Sequence, residues 1–572
     1  MFAKLGHAVA RRAKALLLLS IVLVITFGAV GSQVFTRFDS GGYSNPNSDS
    51  AKVWDYLKDT FNVKDPAVVV VVQTKTGTVD DQTVAEQAAK LELQLKSESS
   101  AEKTLSYWSS GRIPSLKSKD QTAAYIFVYL KSSDFTDVDQ LGGYYQKKYE
   151  GNFENLKVRT SGGAVFSHSI NSRIQDDLKI SEAISIPLTF LMLLIVFGAL
   201  IASAMPLVIG VTAIMGTFFL LYLLTLVTDV SVFALNLTTG LGLGLGIDYA
   251  LLIVNRFREE LHNGVNREQA LVNTLSTAGK TVFYSGITVM LTLISLTFFP
   301  MNFLKSMGYA GTIVVGTAVI GALIPLPAVL MLLGNKVDKY VVRKGAIVPK
   351  SDGGWAKIAR FVMRRPIPVV AICGLILTAL ILPISNVKFS QVDSRVLPKS
   401  DPAYQAAAFI AENFPGQEAN PIEIIFPQGA NKVDSIKNYS QELSKLNGVV
   451  RVDQPQIAGA AVRLVAIHSM PPRTPESQNL INQIRKIKSD QEVLVGGFAA
   501  DYTDAQKGIS DTLPWVLLWI AISVLILLFS FTGSILLPIK AVLLNFASLL
   551  ATIGVLTAIF IDDKFKFLVG DF

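Results

Sequence analysis

Asp248 is a carboxylate in a stretch with no other charge between Val230 and Asn255. It follows Gly240-Leu241-Gly242-Leu243-Gly244-Leu245-Gly246-Ile247 and precedes Tyr249-Ala250-Leu251-Leu252-Ile253-Val254, a run apolar enough to sit in a bilayer. A charged side chain at mid-membrane costs ~2.5 to 3.5 kcal/mol on insertion scales, so it persists where it lines an ion path or meets a partner. The chemistry this suits is proton carriage. A carboxyl balanced between desolvation and a hydrogen-bonding neighbour can load a proton from one side and release it to the other. Crossing 100 mV is worth ~2.3 kcal/mol per charge, so one or two protons suffice to bias a conformational cycle. The competing reading is a carboxyl kept neutral by burial or satisfied by a neighbouring hydroxyl, with no turnover.

The glycines around it read as packing rather than chemistry. Gly240 with Gly244, and Gly242 with Gly246, form two small-xxx-small rows on nearly opposite faces of one helix, which would let neighbours approach closely on both sides. A dinucleotide-binding glycine loop needs a preceding strand and a soluble αβ unit, and neither is present. Gly279-Lys280-Thr281 resembles the end of a phosphate loop, but Thr274 stands where that motif requires glycine, and the residues that follow enter a membrane span. ATP hydrolysis is therefore excluded as the energy source, and an ion gradient is left. Cys373 is the only cysteine, and His7, His168, His262 and His468 are scattered without ligand spacing, so neither a disulfide nor a metal site is expected.

The elements that must position Asp248 are membrane helices. The chain is 50% hydrophobic with a mean hydropathy of +0.43, too apolar for an ordinary soluble protein. Charge-free runs long enough to cross ~30 Å of hydrocarbon are Ala15 to Thr36, Ala183 to Thr228 (a pair broken near Pro206), Thr281 to Leu304, Ser306 to Asn335, Pro366 to Val387, Thr512 to Ile539 and Ala541 to Ile561. With the Asp248 segment they make nine spans. The first run is too long for the core of a secretory signal and reads as an uncleaved anchor. With the N-terminus in the cytoplasm, the basic residues Lys4, Arg11, Arg12, Arg256, Arg258, Lys280, Lys336, Arg343, Lys344, Lys350, Lys357, Arg360, Arg364 and Arg365 all fall on the inner side, and Lys305 is the mild exception. The net charge of +8 is thus orientation and inner-leaflet contact, with no coherent basic surface for nucleic acid.

The chain also repeats itself. Phe2-Ala3-Lys4-Leu5-Gly6 and Arg11-Arg12 return as Trp355-Ala356-Lys357-Ile358-Ala359 and Arg364-Arg365; Asp39-Ser40 returns as Asp393-Ser394; Ser161-Gly162-Gly163 matches Val495-Gly496-Gly497. Phe197 and Pro206 match Phe529 and Pro538. Each half is one span, one external segment, then a bundle, and parallel repeats of this kind place a substrate path at their interface. Aligned on the two prolines, Phe572 falls opposite Gly240, so the second half is expected to stop before a second Asp248. The divisions are 1–36 (cytoplasmic N-terminus and first span), 37–181 (external), 182–335 (five-span bundle), 336–365 (cytoplasmic linker), 366–387 (seventh span), 388–511 (external) and 512–572 (the last two spans). Strand-like and helix-like runs in both external segments follow the order βαββαβ, the ferredoxin-like unit. Arg256, Arg258, Glu259 and Glu260, with Arg267 and Glu268, read as a solvated amphipathic cytoplasmic segment. Tyr107, Trp108, Tyr125, Phe127 and Tyr129 read as core aromatics, some of which line an apolar path in the alternative reading.

Gly-Leu-Gly-Leu-Gly-Ile-Asp-Tyr, then Asn255-Arg256-Phe257-Arg258-Glu259-Glu260 and Ala278-Gly279-Lys280-Thr281-Val282-Phe283-Tyr284-Ser285-Gly286, resemble the signature of the MMPL family. That family is a branch of the RND superfamily of proton-driven exporters. The resemblance covers essentially the whole chain and implies twelve spans in a complete protein, with a sterol-sensing-like bundle after the first porter domain. By position it implies that Asp248 is the proton carrier, Tyr249 its hydrogen-bonding partner and Ser285 a polar contact from the fifth span. The facing Asp-Tyr pair of the tenth span has no counterpart here. The expected function is proton-motive-force-driven export of a lipid, a lipid-linked precursor or a drug from the cytoplasmic membrane, without enzyme chemistry, nucleotide or other cofactor. A lipid-binding sensor or scaffold, and an inactive product needing a partner, are the alternatives. Expected partners are membrane lipids and the hydrophobic substrate, while a monomer, a trimer and a complex with a second polypeptide supplying further helices all stay open.

Overall fold

The computed structural model describes the chain apart from residues 39–40, 133–134, 343–352, 388–393, 415, 417, 419, 472, 563 and 565–572. Asp39, Ser40, Arg343, Lys344, Lys350, Asp393 and Phe572, used above for orientation and repeat matching, lie outside the described residues. The chain divides into two compact units. One comprises residues 1–42, 181–388 and 511–571, the other residues 43–180 and 389–510.

The first unit is helical. Among the described residues nine helices are long and apolar enough to cross a membrane: Ala13–Phe35, Gly163–Phe197, Leu200–Leu224, Phe233–His262, Arg267–Phe298, Asn302–Asp338, Pro366–Asn386, Phe498–Thr532 and Leu536–Phe560. They are numbered here as spans one to nine. The break expected near Pro206 falls instead at Gly198, whose φ of 68° supplies the left-handed turn between spans two and three. Pro206 is buried inside the third span, where neighbouring helices satisfy the backbone groups a proline frees. The second half repeats this arrangement: Gly533 has φ 66°, and Pro538 sits in the first turn of the ninth span, where its missing N–H costs little. The third and sixth spans pack on the fourth, around a core that includes Ile253, Val254, Phe257, Val314 and Ala318. The eighth span meets the fifth through large side chains: Trp519 Nε1 donates to the Leu291 carbonyl at 2.9 Å, and the Tyr284 and Phe531 rings lie 5.0 Å apart.

The second unit is built on two sheets. The first holds β1 (Val68–Thr74), β2 (Ala101–Ser106), β3 (Ala123–Leu130), β4 (Gly151–Phe153) and β5 (Leu156–Ser161), in the order β2-β3-β1-β5-β4. The second holds β6 (Ile422–Phe426), β7 (Val449–Val452), β8 (Gln456–Ala458), β9 (Ala461–His468) and β10 (Leu494–Gly496), in the order β10-β6-β9-β7 with β8 on β9. The paired neighbours in both sheets are antiparallel, with β1 and β6 central. Helices Gln82–Ser97 and Phe135–Tyr149 connect the strands of the first sheet, and Val433–Ser444 and Pro475–Ile484 those of the second.

The central strands are apolar on both faces, which calls for cover on both. On one face Val68, Val70 and Val72 pack with Ala88, Leu91 and Tyr145 from the connecting helices. On the other, Val69 and Val71 join Tyr125, Phe127 and Phe414. Phe414 follows helix Pro402–Asn413 of residues 389–510, and its ring stacks on Tyr125 at 4.0 Å. The exchange is mutual. Helix Asp49–Asp59 packs Val53 and Leu57 against Ile425 and Leu494 of the second sheet. Each of the two segments thus lends one helix to the other's sheet, so residues 43–180 and 389–510 fold as one unit. The one charge among these central faces, Glu423 on β6, is held by a bidentate pair to Arg463 on β9 at 2.6 and 2.7 Å, as a buried carboxylate requires. Tyr107, Tyr125 and Phe127 are buried, while Trp108 and Tyr129 are partly so.

Candidate functional site

The fourth span, Phe233–His262, is a single helix of 30 residues. Apolar residues and alternating glycines keep it helical despite the flexibility of glycine, because packing in the bundle, rather than propensity, holds it. Its two glycine rows have different surroundings. A methyl on Gly246 would lie 2.8 Å from Gly210 Cα, and one on Gly242 would lie 2.7 Å from Ile214 Cγ1, so this row sits tight against the third span. A methyl on Gly240 or Gly244 would meet nothing within 4 Å. The close approach expected on both sides therefore exists on one side among the described residues.

Asp248 continues the open row. Asn236, Gly240, Gly244, Asp248 and Leu252 recur every fourth residue and are all exposed. Tyr249, one position on, turns inward and is 3% exposed. Among the described residues its buried hydroxyl has no hydrogen-bond partner of good geometry. Ser285 of the fifth span is the polar side chain that bears on it, and a methyl on the adjacent Gly286 would stand 3.7 Å from the hydroxyl oxygen. Tyr249 and Ser285 thus meet where the fourth and fifth spans adjoin, while Asp248, next to Tyr249 in sequence, lies on the open face of the fourth span. An unpaired phenol beside a carboxylate can accept or relay a proton once a water or a moving side chain bridges them.

The C-terminal end of this helix differs from the solvated segment expected for it. Residues 256–262 continue the fourth span, with Phe257, Arg258 and Glu260 buried. Arg258 Nε donates to Asp338 Oδ1 at 2.6 Å, and its guanidinium also donates to the Phe197 carbonyl at 3.0 Å. The same junction carries backbone bonds from Val342 to Gly198 and from Leu200 to Tyr340, at 2.9 and 3.2 Å. Glu260 pairs with Arg256 at 2.5 Å and accepts from Asn273 at 2.7 Å. These charges tie the C-terminal end of the fourth span to spans two, five and six. No signal in the isolated sequence marked Arg258 as a clamp; its partners lie 61 and 80 residues away.

Ala278 and Gly279 end a π-turn, Leu275–Gly279, and Lys280 opens the α-helix that follows within the fifth span, so the motif offers no phosphate loop. Gly279 admits the Leu323 side chain, which would be 3.3 Å from a methyl there. Among the described residues no three His, Cys, Asp or Glu side chains cluster as a metal site. His468 on β9 is fully buried, with Nε2 donating to the Asn420 carbonyl at 3.0 Å. Burial holds its pKa below the ordinary histidine range, so it is a neutral core residue. Acidification below that ordinary range favours the unfolded state, which takes up the proton more readily.

A bundle of helices long and apolar enough to cross a membrane, on a chain that also builds two sheets, defines a multi-pass membrane protein. The chain belongs to the MMPL family: the family profile matches residues 42–369 and 395–565. It is 31% identical over 592 residues to a membrane protein of Streptomyces coelicolor, covering 100% of this chain and 79% of that one. It is 27% identical over 618 residues to the trehalose monomycolate exporter MmpL3 of Mycobacterium tuberculosis, covering 99% of this chain and 65% of the exporter. The chain thus spans slightly less than two thirds of that exporter's length. Among solved structures, the hedgehog release protein Disp of the water bear Hypsibius dujardini superposes with a TM-score of 0.63 at 10% identity, covering 98% of this chain and 86% of that one. At that identity the likeness is one of fold.

Proposed function

We propose that this protein takes part in proton-driven export of a hydrophobic or amphipathic molecule, a lipid or lipid-linked precursor, from the cytoplasmic membrane. The observation that carries the reading is Asp248: an exposed carboxylate within an apolar, glycine-lined span, backed by the buried, unpartnered hydroxyl of Tyr249. In this reading Asp248 takes up the proton, Tyr249 stabilises or relays it, and Ser285 completes the polar contact from the fifth span. The naming of MmpL3 as a trehalose monomycolate exporter favours a lipid over a polar solute. We read the two sheets as ferredoxin-like porter domains of two parallel repeats, lying outside the membrane with the N-terminus in the cytoplasm. Their exchanged helices would oblige the two domains to move together as substrate passes.

The test is translocation of a fluorescent phospholipid in proteoliposomes under an imposed pH gradient, for the wild-type chain and for Asp248→Asn. Gradient-dependent movement that disappears in the variant, with the purified protein still monodisperse and helical, supports the reading. Equal movement in both, or movement indifferent to the gradient, refutes it.

A further inference from the structure

Helices Gly163–Phe197 and Phe498–Thr532 each begin just after a glycine of positive φ, Gly162 at 99° and Gly497 at 91°. Over its first turns, within the sheet-bearing unit, each is tied to the helix that precedes it in its own segment. The two ties are made of different chemistry. In residues 389–510, Arg485 follows helix Pro475–Ile484 and forms a bidentate pair with buried Asp504 at 2.6 and 2.9 Å. A guanidinium keeps its charge at any physiological pH, so this tie is permanent. Counted from the two glycines, Asp504 corresponds to Ser169, and there the donor is a neutral amide, Gln146 Nε2 at 3.4 Å.

The charge in the first tie stands one residue earlier. His168 Nδ1 lies 3.3 Å from Asp139 Oδ2, and Asn171 Nδ2 donates to Asp139 Oδ1 at 2.8 Å. Thr503 holds the matching place in the other segment and bonds back to the Ala499 carbonyl at 2.8 Å. Shape holds His168 as well. A methyl on Gly143 would overlap the imidazole ring, and one on Gly142 would overlap the Ala164 carbonyl oxygen. Asp139, Gly142, Gly143 and Gln146 share one face of helix Phe135–Tyr149, so that face receives both the ring and the backbone of the long helix. The neighbouring charges are engaged elsewhere or exposed: Asp137 accepts from Ser132, Lys148 pairs with Glu98, Glu150 accepts from Thr160, Arg173 pairs with Asp177, Lys179 pairs with Asp176, and Lys147 is exposed. Asp139 is the charge paired with His168 among the described residues.

We infer that His168 and Asp139 form a proton-responsive latch, which sets how firmly helix Phe135–Tyr149 holds the start of helix Gly163–Phe197 and tightens as the medium around this unit is acidified. An imidazole changes charge between about pH 5 and 8, a range over which carboxylates ordinarily stay ionised. On the acid side the contact is an ion pair made only while the helices are docked, so protonation favours docking; on the alkaline side it is a single neutral hydrogen bond. The two side chains are 35% and 18% exposed, and water screening keeps the gain small. The latch biases a movement of the first segment alone, because Arg485 and Asp504 hold the second at either pH.

The test is hydrogen–deuterium exchange of the full chain in lipid nanodiscs at pH 5.5 and 8.0, with labelling times scaled for the intrinsic exchange rate. It needs no transported molecule. The expected result is protection of residues 139–147 about threefold greater at pH 5.5, with the difference lost in His168→Gln and in Asp139→Asn. Helix Pro475–Ile484 reports any general effect of pH and should be equally protected at both. Each substitution is close to isosteric at a partly exposed position, so elution and helicity should match the parent, and either variant alone carries the prediction if the other does not fold. Equal protection of residues 139–147 at the two pH values in the wild-type chain overturns the inference. So does a difference that persists in either folded variant, or one matched in helix Pro475–Ile484.

Discussion

On one face of the fourth span Gly242 and Gly246 leave no room for a methyl group, while on the other Gly240 and Gly244 would accept one without contact. The charges on this helix divide in the same way. Arg258 and Glu260, at its C-terminal end, are buried and engaged by Asp338, Phe197, Arg256 and Asn273. Asp248 shares the open row with the unpacked glycines. Within one helix, then, close packing and charge pairing serve to hold the bundle, and the carboxylate proposed for function is kept apart from both. A group that must exchange a proton needs access and a changeable environment, whereas a structural charge needs fixed partners.

The largest separation between the two faces should come from Asp248→Asn. The substitution keeps size and shape on an exposed position, so thermal stability in detergent should move by less than about 0.5 kcal/mol, while gradient-driven lipid movement should fall at least tenfold, in line with loss of a group that must itself carry the proton. A stability loss matching the activity loss would place Asp248 with the structural charges and erase the contrast.

Arg258→Met should do the reverse. It strands the Asp338 carboxylate and the Phe197 carbonyl in a mostly buried junction, costing about 1 to 3 kcal/mol. Hydrogen exchange at residues 198–200 and 340–342 should quicken first, because their mutual backbone bonds lie beside the clamp. Unchanged exchange there would show that the β-bridge between Ala199 and Val341 stands without the guanidinium.

How much of this was legible in the sequence depends on the range of the interaction. The spans were readable because an uninterrupted apolar run is a local property, and the order of strands and connecting helices followed from alternation and turn residues. Asp248 stood out because a lone charge in such a run needs no partner to be noticed. What escaped was cover supplied from a distance. Val68 to Val72 announces a strand buried on both faces, but not that Phe414, far along the chain, would close one of them. Helices Asp49–Asp59 and Pro402–Asn413 precede the strands of their own segments and pack on the other's. Arg258 looked solvated because charged residues at a helix end usually are; only the fold brings Asp338 to it. The turn near Pro206 was misplaced by weighting proline over Gly198, whose positive φ decides it.

Gly246→Ala tests the closed face by itself. Its new methyl would meet backbone, Gly210 Cα at 2.8 Å and Gly210 N at 2.9 Å, so the third and fourth spans must separate, at a cost of about 1 to 3 kcal/mol typical of overpacking. The same exchange at Gly210 should cost less, because the nearest atom there is the movable Leu243 Cδ2 at 3.0 Å. Equal losses at both sites would mean that helix spacing, rather than this one backbone contact, sets the tolerance.

Gly244→Ala is expected to have the smallest effect on stability and is for that reason the sharpest probe of the open face. No heavy atom lies within 4 Å of the added methyl, and alanine is the better helix former by roughly 0.8 to 1.0 kcal/mol at an exposed interior position. Stability should therefore hold or rise slightly. Gly244 stands one turn from Asp248 on the same row, so if that face must admit a closely approaching helix or a file of water during the cycle, transport should fall while the melting temperature does not. If both stay at wild-type level, the row is open simply because nothing needs to come close to it, and the glycines there serve neither packing nor access.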